Sequence, residues 1–203
     1  MANLEYEEKF YEQGLFLVAG CDEAGRGPLA GPLCCAAVIL PKGYYNPLID
    51  DSKKLTEKKR EALFDVICEK AISYSIGIAT EQEIDEINIL NATFLAMRRA
   101  VDGLSVKPDY ALIDGNQHPK LSIPDETVVK GDGKSMSIAA ASILAKVSRD
   151  RFMLDIAKKY PEYCFEKHKG YGTKLHYEMI EKYGVSSVHR RSFLKKILGD
   201  VNG

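Results

Sequence analysis

Leu15-Phe-Leu-Val-Ala-Gly-Cys21, the connector Asp22-Glu-Ala-Gly-Arg-Gly-Pro-Leu-Ala-Gly-Pro32 and Leu33-Cys-Cys-Ala-Ala-Val-Ile-Leu40 form the stretch that decides the architecture. Each apolar run is short, bounded by Gly or Pro, and too brief for an ordinary helix. Both read as buried strands joined by a loop over 22–32. Asp22 and Glu23 then stand at the end of a strand, where an α/β sheet opens its ligand crevice.

Working outward, Thr56 caps a helical stretch whose Leu63, Val66 and Ile67 recur along one face, with charge on the other. Ile72–Ala79 reads as a third strand. Thr80-Glu81-Gln82-Glu83 is a capping-box pattern that opens a helix, and the helical signal resumes over 88–101 with Gly103 as its stop. Asp109–Asp114 returns to strand, so a further acid ends a strand, and Glu126–Lys130 reads as one more. From Ser137 a long helix runs to Pro161. Its alanines at 139, 140, 141 and 145 let it lie close to a sheet. Beyond it, the loop Phe165-Glu-Lys-His-Lys-Gly-Tyr-Gly-Thr173 leads to a Thr173-capped helix ending at Gly184 and to the basic segment His189–Leu198. The alternation predicts an α/β fold: a central mixed β-sheet flanked by helices, with a C-terminal helical extension.

The 203 residues are 45% hydrophobic and 28% charged, which suits one globular unit and excludes wholesale disorder. No window reaches the roughly 18 consecutive apolar residues of a membrane span. No secretory leader is visible before Gln13, and a cytoplasmic location is expected. Five cysteines without C-x-x-C spacing read as reduced, mostly buried thiols rather than disulfide or zinc ligands. No heptad or long apolar stripe calls for a partner copy, and a monomer is expected. The formal charge is −1, unevenly spread: residues 146–203 hold 13 Lys and Arg against 7 Asp and Glu, leaving 15 against 22 over residues 1–145. A basic end can grip a phosphate backbone while the acidic part holds cations, although solvated helix faces produce the same asymmetry.

Four carboxylates stand out by position: Asp22, Glu23, Asp114 and Asp132, each at an element end. Oxygen-only donors of this kind suit Mg²⁺ or Mn²⁺, hard ions that keep part of their water shell. Asp-Gly at 114 and 132 is also ordinary turn chemistry. Adjacent Asp22 and Glu23 would face opposite sides of a regular strand, so joint use requires the chain to leave the pleat or Glu23 to reach around. Gly25-Arg26-Gly27 exposes main-chain groups beside one cation. It lacks both the dinucleotide fingerprint and the P-loop pattern. His168, His176 and His189 match no zinc spacing and read as surface residues.

Taken in order, D-E-A-G-R-G-P from Asp22, D-S-K-K-L from Asp51, L-I-D-G from Leu112, K-G-D from Lys130, A-A-A-S-I-L-A-K-V-S-R-D-R from Ala139 and H-K-G-Y-G-T from His168 closely resemble the type 2 ribonucleases H, specifically bacterial ribonuclease HII, over 18–194. The short N-terminal stretch resembles ribonuclease HII rather than HIII, which carries an added substrate-binding domain. The resemblance implies a ribonuclease H-like catalytic core over 1–160 and a helical substrate-binding extension over 161–203, packed as one unit. It implies an endonuclease that hydrolyses the RNA strand of RNA–DNA hybrids and cuts at single ribonucleotides in duplex DNA.

The implied metal ligands and catalytic acids are Asp22, Glu23, Asp114 and Asp132, holding two Mn²⁺ or Mg²⁺ ions and leaving 5′-phosphate and 3′-hydroxyl ends. Gly25, Arg26, Gly27 and Tyr171 are implied to read the 2′-hydroxyl and stack on the sugar. Lys53, Lys146 and Arg149 fall on motif positions suited to phosphate contact, though surface cations are often merely solvated. Two other readings stay open: a related metal-dependent nuclease, such as a junction resolvase or transposase-type enzyme, and a binding module without catalysis. The Gly-Arg-Gly and tyrosine pairing speaks against the first, and the mutual repulsion of four acids against the second.

Overall fold

A computed structural model describes residues 2–195. Its centre is a five-stranded sheet in the order β3-β2-β1-β4-β5. Strands β1 (Val18–Ala24), β2 (Leu33–Ile39) and β3 (Ser73–Ala79) form an antiparallel meander. Strands β4 (Tyr110–Asp114) and β5 (Asp125–Val128) add in parallel on the other side of β1. The sheet is therefore mixed, as the apolar runs and the later α/β alternation predict. The first strand extends three residues beyond the expected end, so Asp22 and Glu23 lie within β1 and pair with Ala36 and Cys35. β5 starts one residue early and stops at Val128, with Lys130 already in the left-handed region at φ 57°.

Before the sheet comes α1 (Glu5–Tyr11), which the sequence reading did not anticipate: its seven residues make only about two turns, too few for a sustained apolar stripe. α2 (Glu57–Lys70) follows the Thr56 cap, whose side chain accepts from the Lys59 N–H. α3 (Glu81–Asp102) opens on a complete Thr80–Glu83 capping box and bends at Asn88, where φ is 66°. α4 (Met136–Lys159) crosses the opposite face. One layer of core joins α2 and α4 to Ala36, Val38 and Ala24; the other joins α3 to Cys21, Leu33, Cys35 and Ile113. Close approach of α4 depends on a missing side chain: a Cβ on Gly20 would lie 2.1 Å from the Ser137 carbonyl carbon. The small-residue run at the start of α4 thus serves packing, as expected.

After α4 the chain forms a short α5 (Phe165–His168) and α6 (Lys174–Tyr183). Tyr163, Phe165, Ile180 and Leu194 from this part close over Leu29, Ala30, Met153 and Ala157. The expected basic segment is described through residue 195, and its remainder lies outside the described residues. Among the described residues, no helix is long and apolar enough to cross a membrane. Cys21, Cys34 and Cys35 are buried and free, and Cys68 and Cys164 are partly buried and free.

Candidate active site

Parallel pairing of β1 with β4 sets Cys21 beside Ile113, so the next residues, Asp22 and Asp114, stand side by side on neighbouring strands at one end of the sheet. The alternation of the pleat sends Asp22 towards the α4 side and Glu23 towards the α3 side. Both nevertheless line one cleft with Asp114, Lys53, Lys146, Gly25, Arg26, Gly27 and Tyr171. The longer Glu23 reaches around, and no break in the strand is needed. Asp132 comes from a 3-10 turn between β5 and α4, and lines an adjoining cleft with Asp114, Lys53, Lys130 and Lys134. The Gly131 N–H donates to Asp114 Oδ1 at 2.6 Å, which joins the last two acids through one main-chain bond.

That turn is braced from an unexpected quarter. Glu7, fully buried on α1, accepts from Ser135 Oγ at 2.6 Å and from the Ser137 N–H at 2.8 Å, three to five residues past Asp132. A carboxylate at the first turn of a long helix meets unpaired N–H groups and the positive end of the dipole.

The acids perturb one another as a cluster of like charges must. Burial pushes Asp22 well above the carboxylate range; Glu23 and Asp114 add to the rise, and the Glu23 N–H, donating at 2.6 Å, works against it. Glu23 is raised by burial and by Asp114 against the pull of Arg26, 3.5 Å away. Asp114 is raised by burial and then by Asp132. Lys53, which burial alone would lower, is raised by its 3.3 Å contact with Asp132. Among the described residues, Glu23 pairs with Arg26 and Asp132 with Lys53, while neither Asp22 nor Asp114 has an ion-pair partner.

The four acids line two clefts joined at Asp114 and Lys53 rather than a closed cage: among the described residues, no three His, Cys, Asp or Glu side chains stand ready-clustered around a metal position. The donor set still fits a hard divalent cation. It is all oxygen and partly desolvated, with Asp22 and Asp114 outside any ion pair among the described residues, and Mg²⁺ commonly takes only one or two carboxylates beside waters and substrate phosphates.

Of the other expected residues, Tyr171 is exposed at the cleft, and a Cβ on Gly27 would lie 3.9 Å from its ring. Lys146 reaches the same cleft while donating to Asp150 at 2.7 Å. Arg149 departs from expectation. It is wholly buried, and its guanidinium donates to the carbonyls of Pro32, Ala30 and Lys169, so it offers nothing to a phosphate. Gly25, at φ +100°, rests on it: a Cβ there would fall 2.1 Å from Arg149 Nε.

The histidines also depart from expectation. His168, His176 and His189 are buried, and their hydrogen bonds fix their tautomers. Because the Tyr171 carbonyl only accepts, His176 carries its proton on Nδ1, 3.0 Å away. His189 Nε2 therefore donates to His176 Nε2 at 3.1 Å and leaves its own Nδ1 to accept from the Ser186 N–H at 3.0 Å. This chain of neutral imidazoles ends on the tyrosine at the cleft. The sequence carried no signal for it, because the three residues share no helical or metal-type spacing.

Residues 19–196 match the sequence profile of a family described as Ribonuclease HII. Ribonuclease HII of Clostridioides difficile is 54% identical over 193 residues, covering 95% of this chain and 76% of the relative. That of Endomicrobium trichonymphae is 58% identical over 189 residues, covering 93% and 90%. Among solved structures, ribonuclease H2 from Pyrococcus horikoshii superposes with a TM-score of 0.69 at 28% identity, covering 88% of this chain and 95% of that one. A ribonuclease HIII in complex with Mn²⁺ shares the fold, with a TM-score of 0.66 at 16% identity, covering 90% and 66%.

Proposed function

The chain belongs to the ribonuclease HII family, a family of metal-dependent ribonuclease H endonucleases, and from that premise we propose that it cuts duplex DNA at single embedded ribonucleotides as well as the RNA strand of RNA–DNA hybrids. One observation carries the reading. Acids from three distant parts of the chain line two adjoining clefts: Asp22, Glu23 and Asp114 one that also holds the Gly25–Gly27 loop and an exposed Tyr171, and Asp114 with Asp132 the other. The acids that cleave the phosphate in this reading lie next to the groups that sense the sugar.

In this reading Asp22, Glu23, Asp114 and Asp132 hold two Mg²⁺ or Mn²⁺ ions. Such ions supply positive charge at the scissile phosphate, an activated water and stabilisation of the leaving 3′ oxygen. The protein's own groups do the rest. Lys53, mostly exposed and tethered to Asp132 at 3.3 Å, is free to turn to a phosphate, and Lys146 flanks the same cleft. Tyr171 offers its ring face to a nucleotide, and Gly25–Gly27 lets the main chain approach the 2′-hydroxyl without a side chain between them. Burial and mutual repulsion raise Asp22 and Asp114 and so oppose full ionisation of the acids, and a bound cation reverses that balance. We extend the reading to a monomer acting in the cytoplasm, with 5′-phosphate and 3′-hydroxyl products.

Purified protein with Mg²⁺ or Mn²⁺ is expected to nick a DNA duplex bearing one ribonucleotide and to lose all activity to a chelator. Tyr171→Ala is expected to harm that substrate more than a continuous hybrid. An enzyme that ignores the ribonucleotide and cuts branched all-DNA substrates instead would replace this reading with that of a resolvase; metal-independent binding without product would replace it with a binding module.

A further inference from the structure

Beneath the Gly25–Gly27 loop lie two charged side chains that the chemistry above does not use. Arg149 and Arg190 are each 0% exposed, and neither takes part in an ion pair among the described residues. Removing a guanidinium from water without a counter-ion is costly, and burial lowers both groups, Arg190 to about 9. All of their hydrogen bonds go to main-chain carbonyls.

Arg190 Nη2 donates to the carbonyls of Gly25 at 2.7 Å and Gly31 at 2.8 Å, Nε to Gly31 at 3.0 Å, and Nη1 to Arg26 at 3.1 Å. Arg149 holds Ala30 and Pro32 of the same connector, and Lys169 two residues before Tyr171. The segment carrying Arg190 is itself stitched to the connector: the Arg190 N–H donates to Leu29 O at 2.8 Å and the Gly31 N–H to Val188 O at 2.9 Å.

A trans peptide sends its C=O and the following N–H in opposite directions. With the carbonyls of Gly25 and Arg26 drawn inward onto Arg190, the N–H groups of Arg26 and Gly27 turn outward, towards the cleft that holds Asp22, Glu23 and Tyr171. Neither N–H donates to another backbone group among the described residues. Two consecutive outward amides form a small concavity for an oxygen acceptor.

We propose that Arg190 is the positioning residue of the sugar-reading loop: through the carbonyls of Gly25, Arg26 and Gly31 it presents the Arg26 and Gly27 amides as a preformed donor pair for the ribose 2′-oxygen at the RNA–DNA junction. The inference rests on the functional reading above. His189, next to Arg190, belongs to the imidazole chain that ends on Tyr171 O, so one dipeptide sets both halves of the reader.

Arg190→Lys keeps the charge but loses the planar fork that spans three carbonyls. It is expected to lower kcat/KM on the single-ribonucleotide duplex about tenfold more than on a continuous hybrid. In the free variant, the Arg26 and Gly27 amides, followed by NMR hydrogen exchange, should lose their single ordered environment while the centre of α4 stays as protected as in the wild type. In the wild-type protein these two amides should gain protection when a single-ribonucleotide duplex binds without catalytic metal, and should not with an all-DNA duplex. This last measurement stands even if the variant fails to fold. Equal losses on both substrates with unchanged loop amides, or no protection in the wild type, would overturn the proposal. If wild-type enzyme itself ignores the ribonucleotide, the functional reading fails, and loop order in free Arg190→Lys still decides whether Arg190 holds the loop.

Discussion

Acid should unfold this protein partly through two residues remote from the carboxylates. His176 and His189 are each pushed from the usual 6.5 down to about 4, chiefly by burial. The chain of bonds leaves room for only one proton on His176: a second would set N–H against N–H at 3.1 Å from His189. With folded values below unfolded ones, the unfolded chain binds more protons in between. The stabilisation is therefore complete above about pH 6.5, declines as pH falls, and is fully lost below about pH 4.

At pH 5 the loss amounts to roughly 2 kcal/mol per histidine, or about 4 kcal/mol for the pair if the two act independently. The raised Asp22, Glu23 and Asp114 work in the opposite sense, since the folded state holds their protons more tightly. The measurement is thus a difference. Urea unfolding from pH 7.5 to 4.5, without metal, should show a steeper decline for wild type than for His176→Gln/His189→Gln. The double variant is less stable at pH 7.5 but flatter below it. Parallel curves for the two proteins would refute the argument.

Asp114→Asn should cost at least about 100-fold in kcat with saturating Mg²⁺, given that even residues behind a metal's direct ligands are worth 10–100-fold. The same change removes one of the repelling charges, so thermal melting without metal should show no loss of stability. Gly20→Ala would bring a methyl to 2.1 Å from the Ser137 carbonyl carbon; calorimetry should show a destabilisation of about 1–3 kcal/mol as α4 is pushed off the sheet.

Much of this architecture was legible because its signals are local. The run from Leu33 matches β2 almost to the residue, and the Thr80–Glu83 pattern forms the complete capping box. The positions of the four acids at strand and turn ends were equally readable, although their order along the chain mattered more than any one of them. What escaped notice depends on closure between remote segments. Arg190 meets Gly25 across 165 residues, and nothing near either position tells that a cation will be buried there. An arginine or histidine in a polar segment reads as surface by default, so Arg149 and the three histidines were misplaced for one reason: their environment is made by other parts of the chain.

The sewing of residues 188–190 onto 29–31 has a bearing on biosynthesis. A polypeptide emerging from its amino end presents all four acids to the cell well before Arg190 exists to steady the early glycines. Contacts so far apart in sequence are among the slowest to form. On the proposal above, the loop assigned to the sugar is thereby the last part of the site to be steadied, and a prematurely terminated translation product lacks Arg190.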